Sequence, residues 1–216
     1  MTYVKICRVR NPRLMPAIAR AGVRFVGIHL ISNLSAEKIE RAVRLCDAAK
    51  RNDLEPVILT KEMDLELIGQ IIERTQTRWI QLHAPWRVEM LLRLRDRFPL
   101  DRLSLIHLIP PEVRNDGRYI ERISAIADYL IVDRAEGGTG RPLAESDLRD
   151  LMQQVPADRT FLAGGLTPQN VAHVVKSYRP FAVDVQSGVL GVEGDQDIGL
   201  VDRFARAVAG VAEPLA

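Results

Sequence analysis

The sequence predicts a single α/β domain over residues 1–216, a (β/α)8 barrel of the TIM type, and three observations predict it. Eight short apolar runs rich in Val, Ile and Leu alternate with longer amphipathic stretches from end to end. The units recur about every 27 residues, near the size of one βα unit in a compact barrel of roughly 250 residues or fewer. No Pro/Gly/Ser-rich linker interrupts the alternation, and 216 residues suit one substantial core better than two α/β domains.

The expected strands, in order, are Tyr3–Cys7, Arg24–Leu30, Glu55–Thr60, Arg78–His83, Leu103–Ile109, Tyr129–Asp133, Thr160–Ala163 and Ala182–Gln186. Runs apolar throughout, such as the YLIV before Asp133, suit strands covered on both faces, as in a parallel sheet. Between strands lie helical patterns such as Ser35–Arg51 and Asp64–Gln76, with Ser35 and Asp64 as N-caps. An open doubly wound sheet would give the same local pattern. Eight units favour closure, because an open sheet leaves two edges unpaired. In a barrel the C-terminal strand ends and the loops after them form the active face, which selects the candidate residues.

Composition narrows the partners. Hydrophobic residues make up 47% and charged residues 27%, an ordinary globular balance. The 30 Lys and Arg are scattered among 28 acids for a net charge of +2, with no basic tract to hold nucleic acid. Cys7 and Cys46 have no CxxC neighbour and are read as reduced thiols. No signal-peptide stretch and no apolar run of about 18 residues is present, so the expectation is a cytoplasmic protein without membrane contact. A monomer or homodimer is expected.

Glycine-bearing turns follow the sixth, seventh and eighth strands: Gly137-Gly138-Thr139-Gly140, Gly164-Gly165 and Ser187-Gly188. Glycine lets backbone approach a ligand closely, and successive N–H groups present donors to an anion, phosphate above all. One such pair could simply make a tight turn; three at adjacent strand ends point to a small phosphorylated substrate.

Cys7 ends the first strand and Asp133 the sixth, which places both at one barrel mouth. A thiolate can accept a proton and a carboxylic acid can donate one. Free-residue values of about 8.5 for Cys and 3.9 for Asp leave both in the opposite state at neutral pH, so the site must tune them. Desolvation would favour the acid form of Asp133, and nearby positive groups the Cys7 thiolate.

Five segments, VKIC at Val4–Cys7, QLH at Gln81–His83, VDRAEGGTGR at Val132–Arg141, LAGGLTPQNV at Leu162–Val171 and VDVQSGV at Val183–Val189, together resemble the phosphoribosylanthranilate isomerase family nearly end to end. The resemblance implies a TIM barrel that performs an Amadori rearrangement without metal or cofactor, in tryptophan biosynthesis. It implies Asp133 as the general acid that opens the ribose ring to a Schiff base, and Cys7 as the general base that removes the C2 proton. Asp184 and His83 would bind the substrate. Gly138, Gly140, Gly164, Gly165, Ser187 and Gly188 would hold its phosphate.

The sequence also departs from that pattern. Where the family carries an arginine for the anthranilate carboxylate, this chain reads His29-Leu30-Ile31-Ser32-Asn33-Leu34-Ser35. KICG has become KIC followed by Arg8, QLHG-x-E has become QLHAPW with Trp86, DVSSGVE has become DVQSGVL, and Arg134 follows the acid. Arg8 could supply the missing guanidinium as a substrate-binding residue, or form a salt bridge on the rim. Trp86 could stack on a flat substrate or pack.

Other readings therefore stand beside the first: the same isomerisation on a different N-phosphoribosyl arylamine, and a non-catalytic phosphate-binding barrel. A metal-dependent sugar-phosphate epimerase or lyase would use His29, His83 and His107, which fall at or near the ends of the second, fourth and fifth strands. His173 sits on a helix pattern, where a solvated position is expected.

Overall fold

The structure is a computed structural model that describes residues 1–31, 34–84, 87–133 and 145–211. In chain order it contains β1 (Tyr3–Ile6), α1 (Met15–Arg20), β2 (Phe25–Leu30), α2 (Ala36–Lys50), β3 (Glu55–Thr60), α3 (Leu65–Thr75), β4 (Trp79–Leu82) and α4 (Val88–Arg97). β5 (Ser104–Leu108), α5 (Gly117–Ser124), β6 (Tyr129–Asp133), α6 (Glu145–Gln154), β7 (Thr160–Ala163), α7 (Val171–Tyr178), β8 (Ala182–Val185) and α8 (Ile198–Ala209) follow. The strands pair in sequence order, all parallel, and β8 returns to β1, so the sheet closes as the count of eight units predicts. The expected strands extend at most one residue beyond the observed ends. Cys7, His83 and Gln186 are three such residues, each the first position past its strand, on the loops of the active face.

Local chemistry sets the helix starts. The Ser35 side chain accepts from the Lys38 N–H, and Asp64 accepts from the N–H groups of Glu66 and Leu67. α3 closes on Gln76 in the left-handed region at φ 51°. No helix among the described residues is long and apolar enough to cross a membrane.

Two separate cores follow from the period-2 alternation of the strands. The larger core lies between barrel and helices and holds residues such as Ile6, Ile28, Ile58, Ile80 and Val183. The smaller one fills the barrel, with Phe25, Val57, Ile106, Ile131 and Phe161 packed against Trp79, Tyr129 and Phe181. The rings of the inner core contact one another at centroid distances such as 4.9 Å for Phe25–Trp79 and 4.5 Å for Tyr129–Phe181. Because these residues sit at or near the strand starts, they plug one end of the barrel. The inward positions further along each strand are left to line a cavity at the other end.

Candidate active site

A cavity of about 350 Å³ opens at the C-terminal ends of the strands. Its walls come from seven strands: Cys7 after β1, His29 on β2, Leu59 on β3, Gln81 on β4, Asp133 on β6, Gly164 after β7 and Asp184 on β8 are among the lining residues. His83, Gly165 and Ser187 line it too, so the structure brings most of the expected site residues into one space.

Cys7 is buried and held from three sides. Lys5 Nζ lies 3.4 Å from its sulfur, and Nε2 of His29 lies 3.2 Å from it. Gly27 makes room, since a Cβ there would stand 2.9 Å from Cys7 Sγ and 3.2 Å from Lys5 Nζ. The parallel register sets Lys5 opposite Asp184, and Nζ meets Asp184 Oδ2 at 2.8 Å.

The expected positive group does stand beside the thiol, but it is outweighed. Burial pushes the Cys7 thiol up to about 11, with the Asp184 carboxylate adding to the rise, and the nearby Lys5 ammonium does not overcome them. Lys5 stays charged: burial opposes its ammonium, but Asp184 and then Cys7 more than offset this and raise its pKa. His29 is pulled down to about 4 by burial first, then by Lys5, Arg8 and His83, which keeps its imidazole neutral near pH 7. His83 is lowered as well, by burial and by Lys61, and its Nδ1 lies 3.3 Å from Gln81 Nε2.

Two acceptors in the cavity lining lack partners among the described residues, Asp184 Oδ1 and Gln81 Oε1. Buried acceptors without donors are costly, and a polyhydroxylated ligand supplies the missing O–H groups. Asp133 is half-buried at the end of β6, and its backbone carbonyl accepts from the buried Arg114 guanidinium.

The glycine turns divide. Gly164 at φ 89° and Gly165 at φ 62° adopt left-handed conformations on the cavity wall, where a side chain would be strained. Asn170 fixes this turn, donating to the Gly165 carbonyl at 2.9 Å and accepting from the Thr167 N–H at 2.9 Å. Gly188 does not line the cavity; a Cβ there would lie 2.0 Å from the Leu166 carbonyl oxygen, so it lets the loops after β7 and β8 touch. Gly138 and Gly140, with Arg134 and Trp86, lie outside the described residues.

Arg8 does not line the main cavity. It faces a neighbouring pocket of about 170 Å³ with Lys38 and Arg41, and His29 stands between the two spaces. The metal reading is corrected on geometry: His29 and His83 line the cavity, but His107 points outward from β5 towards Tyr119 of α5, ring centroids 6.5 Å apart. Among the described residues no group of three or more His, Cys, Asp or Glu is arranged to hold a metal ion.

Sequence reasoning missed Lys5 and Gln81, and saw His29 only as a metal candidate. A lysine two positions before Cys7 in an otherwise apolar run was the available signal, because period 2 aims both at the barrel interior.

Comparison with known proteins adds a further finding. The family model described as N-(5'phosphoribosyl)anthranilate (PRA) isomerase matches residues 4–207. An N-(5'-phosphoribosyl)anthranilate isomerase of Haloarcula marismortui is 30% identical over 95% of this chain and 95% of its own. One from Nitrobacter winogradskyi is 31% identical over 94% and 91%. Among solved structures, a phosphoribosyl anthranilate isomerase in complex with reduced 1-(o-carboxyphenylamino)-1-deoxyribulose 5-phosphate shares the fold at a TM-score of 0.75, with 22% identity over 97% of this chain and 100% of that one.

Proposed function

The chain belongs to the N-(5'-phosphoribosyl)anthranilate isomerase family, and from that premise we propose that Asp133 and Cys7 carry out its Amadori rearrangement. The substrate is N-(5-phosphoribosyl)anthranilate and the product 1-(2-carboxyphenylamino)-1-deoxyribulose 5-phosphate, a step of tryptophan biosynthesis. The observation that carries the assignment of roles is the shared cavity, in which the acid, the thiol and the positive-φ glycine turn after β7 face one space.

Asp133 donates a proton to the ribose ring oxygen, the C1–O bond breaks, and the anilino nitrogen shares its lone pair with C1 to give an iminium. Removal of the C2 proton at Cys7 gives an enaminol, which ketonises. Oδ1 of Asp184 and Oε1 of Gln81, without partners among the described residues, suit the sugar hydroxyls, which would hold C2 near the thiol. The Gly164-Gly165 turn and Ser187 offer donors to the phosphate, with Gly138 and Gly140 proposed beside them on sequence grounds. His83 stands on the wall near Asp133 as a further polar contact.

The test follows the loss of phosphoribosylanthranilate fluorescence with wild type, Cys7→Ala and Asp133→Ala, in the presence of chelator. Wild type turns over, and each variant loses a factor on the order of 10² to 10⁴ in kcat. A silent wild type refutes the substrate; full activity in both variants refutes the assigned roles.

A further inference from the structure

The Cys7 sulfur stands between two nitrogen groups, Lys5 Nζ and His29 Nε2. Lys5 is an ammonium with donors only, so its 3.4 Å contact with Cys7 occupies a sulfur lone pair. The S–H must point elsewhere. Among the described residues the other side-chain group within hydrogen-bond distance of that sulfur is Nε2 of His29, at 3.2 Å, which accepts the S–H in the tautomer that carries its own proton on Nδ1. His29 reaches it from the neighbouring strand because Gly27, two residues earlier on the same inward row, leaves the space that the thiol and Lys5 fill. Both side chains line the catalytic cavity.

We infer that Cys7 and His29 act as one base, the imidazole taking the thiol proton as the sulfur takes the proton from C2. The inference rests on the isomerase reading above and adds a residue to it. As the C2–H bond breaks, its proton goes to Sγ while the thiol's own proton passes to Nε2. The C2–H electron pair becomes the C1=C2 bond, and the iminium π pair returns to nitrogen. Ketonisation then adds a proton at C1 and releases one from the C2 hydroxyl. His29 gives its proton to solvent and Asp133 recovers one, so the cycle closes without net change.

The charges around His29 suit a transient carrier. Lys5 and Arg8 come from β1 and its loop, and His83 from the loop after β4. Lys38 and Arg41 of α2 line the pocket on its far side, while Asp184 on β8 is engaged by Lys5. Burial first, and this cationic surround with it, keeps the imidazole neutral at rest, ready to accept, and makes it return the proton promptly. A thiol held up by burial could not serve alone near neutral pH, which is the state of Cys7 here.

His29→Val and His29→Gln test the pair; the glutamine can hold a hydrogen bond but cannot take up a proton. Two readouts are needed: kcat and KM for phosphoribosylanthranilate from pH 5.5 to 9.5, and iodoacetamide alkylation of Cys7 by peptide mass, with buried Cys46 as internal control. Both variants are expected to lose about 10²-fold in kcat at pH 7 with KM within about threefold. Their kcat should climb towards alkaline pH by about tenfold per unit as the thiol ionises unaided, where wild type stays flat. Alkylation at pH 7 should be about tenfold slower in both. A glutamine variant with wild-type kcat and a flat profile overturns the inference. If wild type itself is silent, the isomerase reading fails alone, and equal alkylation rates in wild type and variants then decide against the Cys7–His29 pair.

Discussion

Lys5 and Asp184 form an ion pair at 2.8 Å with side chains 0% and 7% exposed, the most deeply buried such pair among the described residues. It arises from sheet register, which sets the two residues opposite each other across the β1–β8 seam that closes the barrel. A buried pair of this kind adds little to stability over an apolar replacement, but losing one member strands the other. Lys5→Met is therefore expected to cost about 3 to 5 kcal/mol, read by urea denaturation, because the Asp184 carboxylate is left without its cation. Adding Asp184→Leu should recover most of the stability but none of the activity. A Lys5→Met variant as stable as wild type would mean that water reaches Asp184.

Gly27 is the second point on which the thiol depends. A Cβ added there would stand 2.9 Å from Cys7 Sγ and 3.2 Å from Lys5 Nζ, so only glycine leaves both groups where they are. Gly27→Ala is an overpacking change costing about 1 to 3 kcal/mol. The displacement falls on the reacting sulfur, so kcat is expected to fall by about 10²-fold while KM moves little. Thermal unfolding and steady-state kinetics on the same preparation check this. Loss of stability with full kcat would show that the sulfur does not need its observed position.

The fold was legible because it is written in period and count. Eight apolar runs at regular spacing determine the barrel, and the cap chemistry of Ser35 and Asp64 determines two helix starts. The strand-end rule put Cys7, His83 and Asp133 at the mouth and the family resemblance added Asp184, and all four line one cavity. What the sequence hid depends on contacts across strands. The Lys5–Asp184 pairing joins residues 179 positions apart through register alone. The same limit misled the histidine reading: His107 falls on the outward phase of β5 and His83 on the inward phase of β4, a difference of one residue in strand alignment. Thiol ionisation was hidden for a related reason, since the Asp184 carboxylate that works against the Lys5 ammonium reaches Cys7 only across the β1–β8 seam.

Arg8 stands at φ 58°, a left-handed conformation that costs a non-glycine residue roughly 1 kcal/mol or more. The family pattern resembled here has glycine at this position. Arg8→Gly relieves the strain and is expected to raise Tm by about 2 to 4 °C. Because the Arg8 side chain faces the pocket beyond His29 rather than the cavity, KM for phosphoribosylanthranilate should stay within about threefold. A rise of about tenfold in KM, equivalent to roughly 1.4 kcal/mol, would instead place the guanidinium on the substrate carboxylate.

His107 gives the pH prediction, because it is buried in the helix-facing layer and takes no part in the site. Its side chain is fully buried, and burial pulls its pKa down to about 4, opposed only in part by a weak contact with the Leu108 backbone. In the unfolded chain a histidine titrates near about 6.5, so the unfolded state binds the extra proton first as pH falls. The folded protein thus keeps its full stability above about pH 6.5 and loses it progressively as pH drops towards 4, by about 3 kcal/mol at the end of that window. His107→Leu removes both the titration and a buried, poorly satisfied imidazole, so it should be neutral to stabilising at pH 7. Its advantage over wild type should widen by about 3 kcal/mol between pH 7 and pH 4, while the lowered pKa of His29 leaves some acid sensitivity in both. Denaturation midpoints at pH 4, 5, 6 and 7 measure this. Parallel pH profiles for the two proteins would show that the imidazole finds water or a partner when charged, and that the His107 layer is not closed.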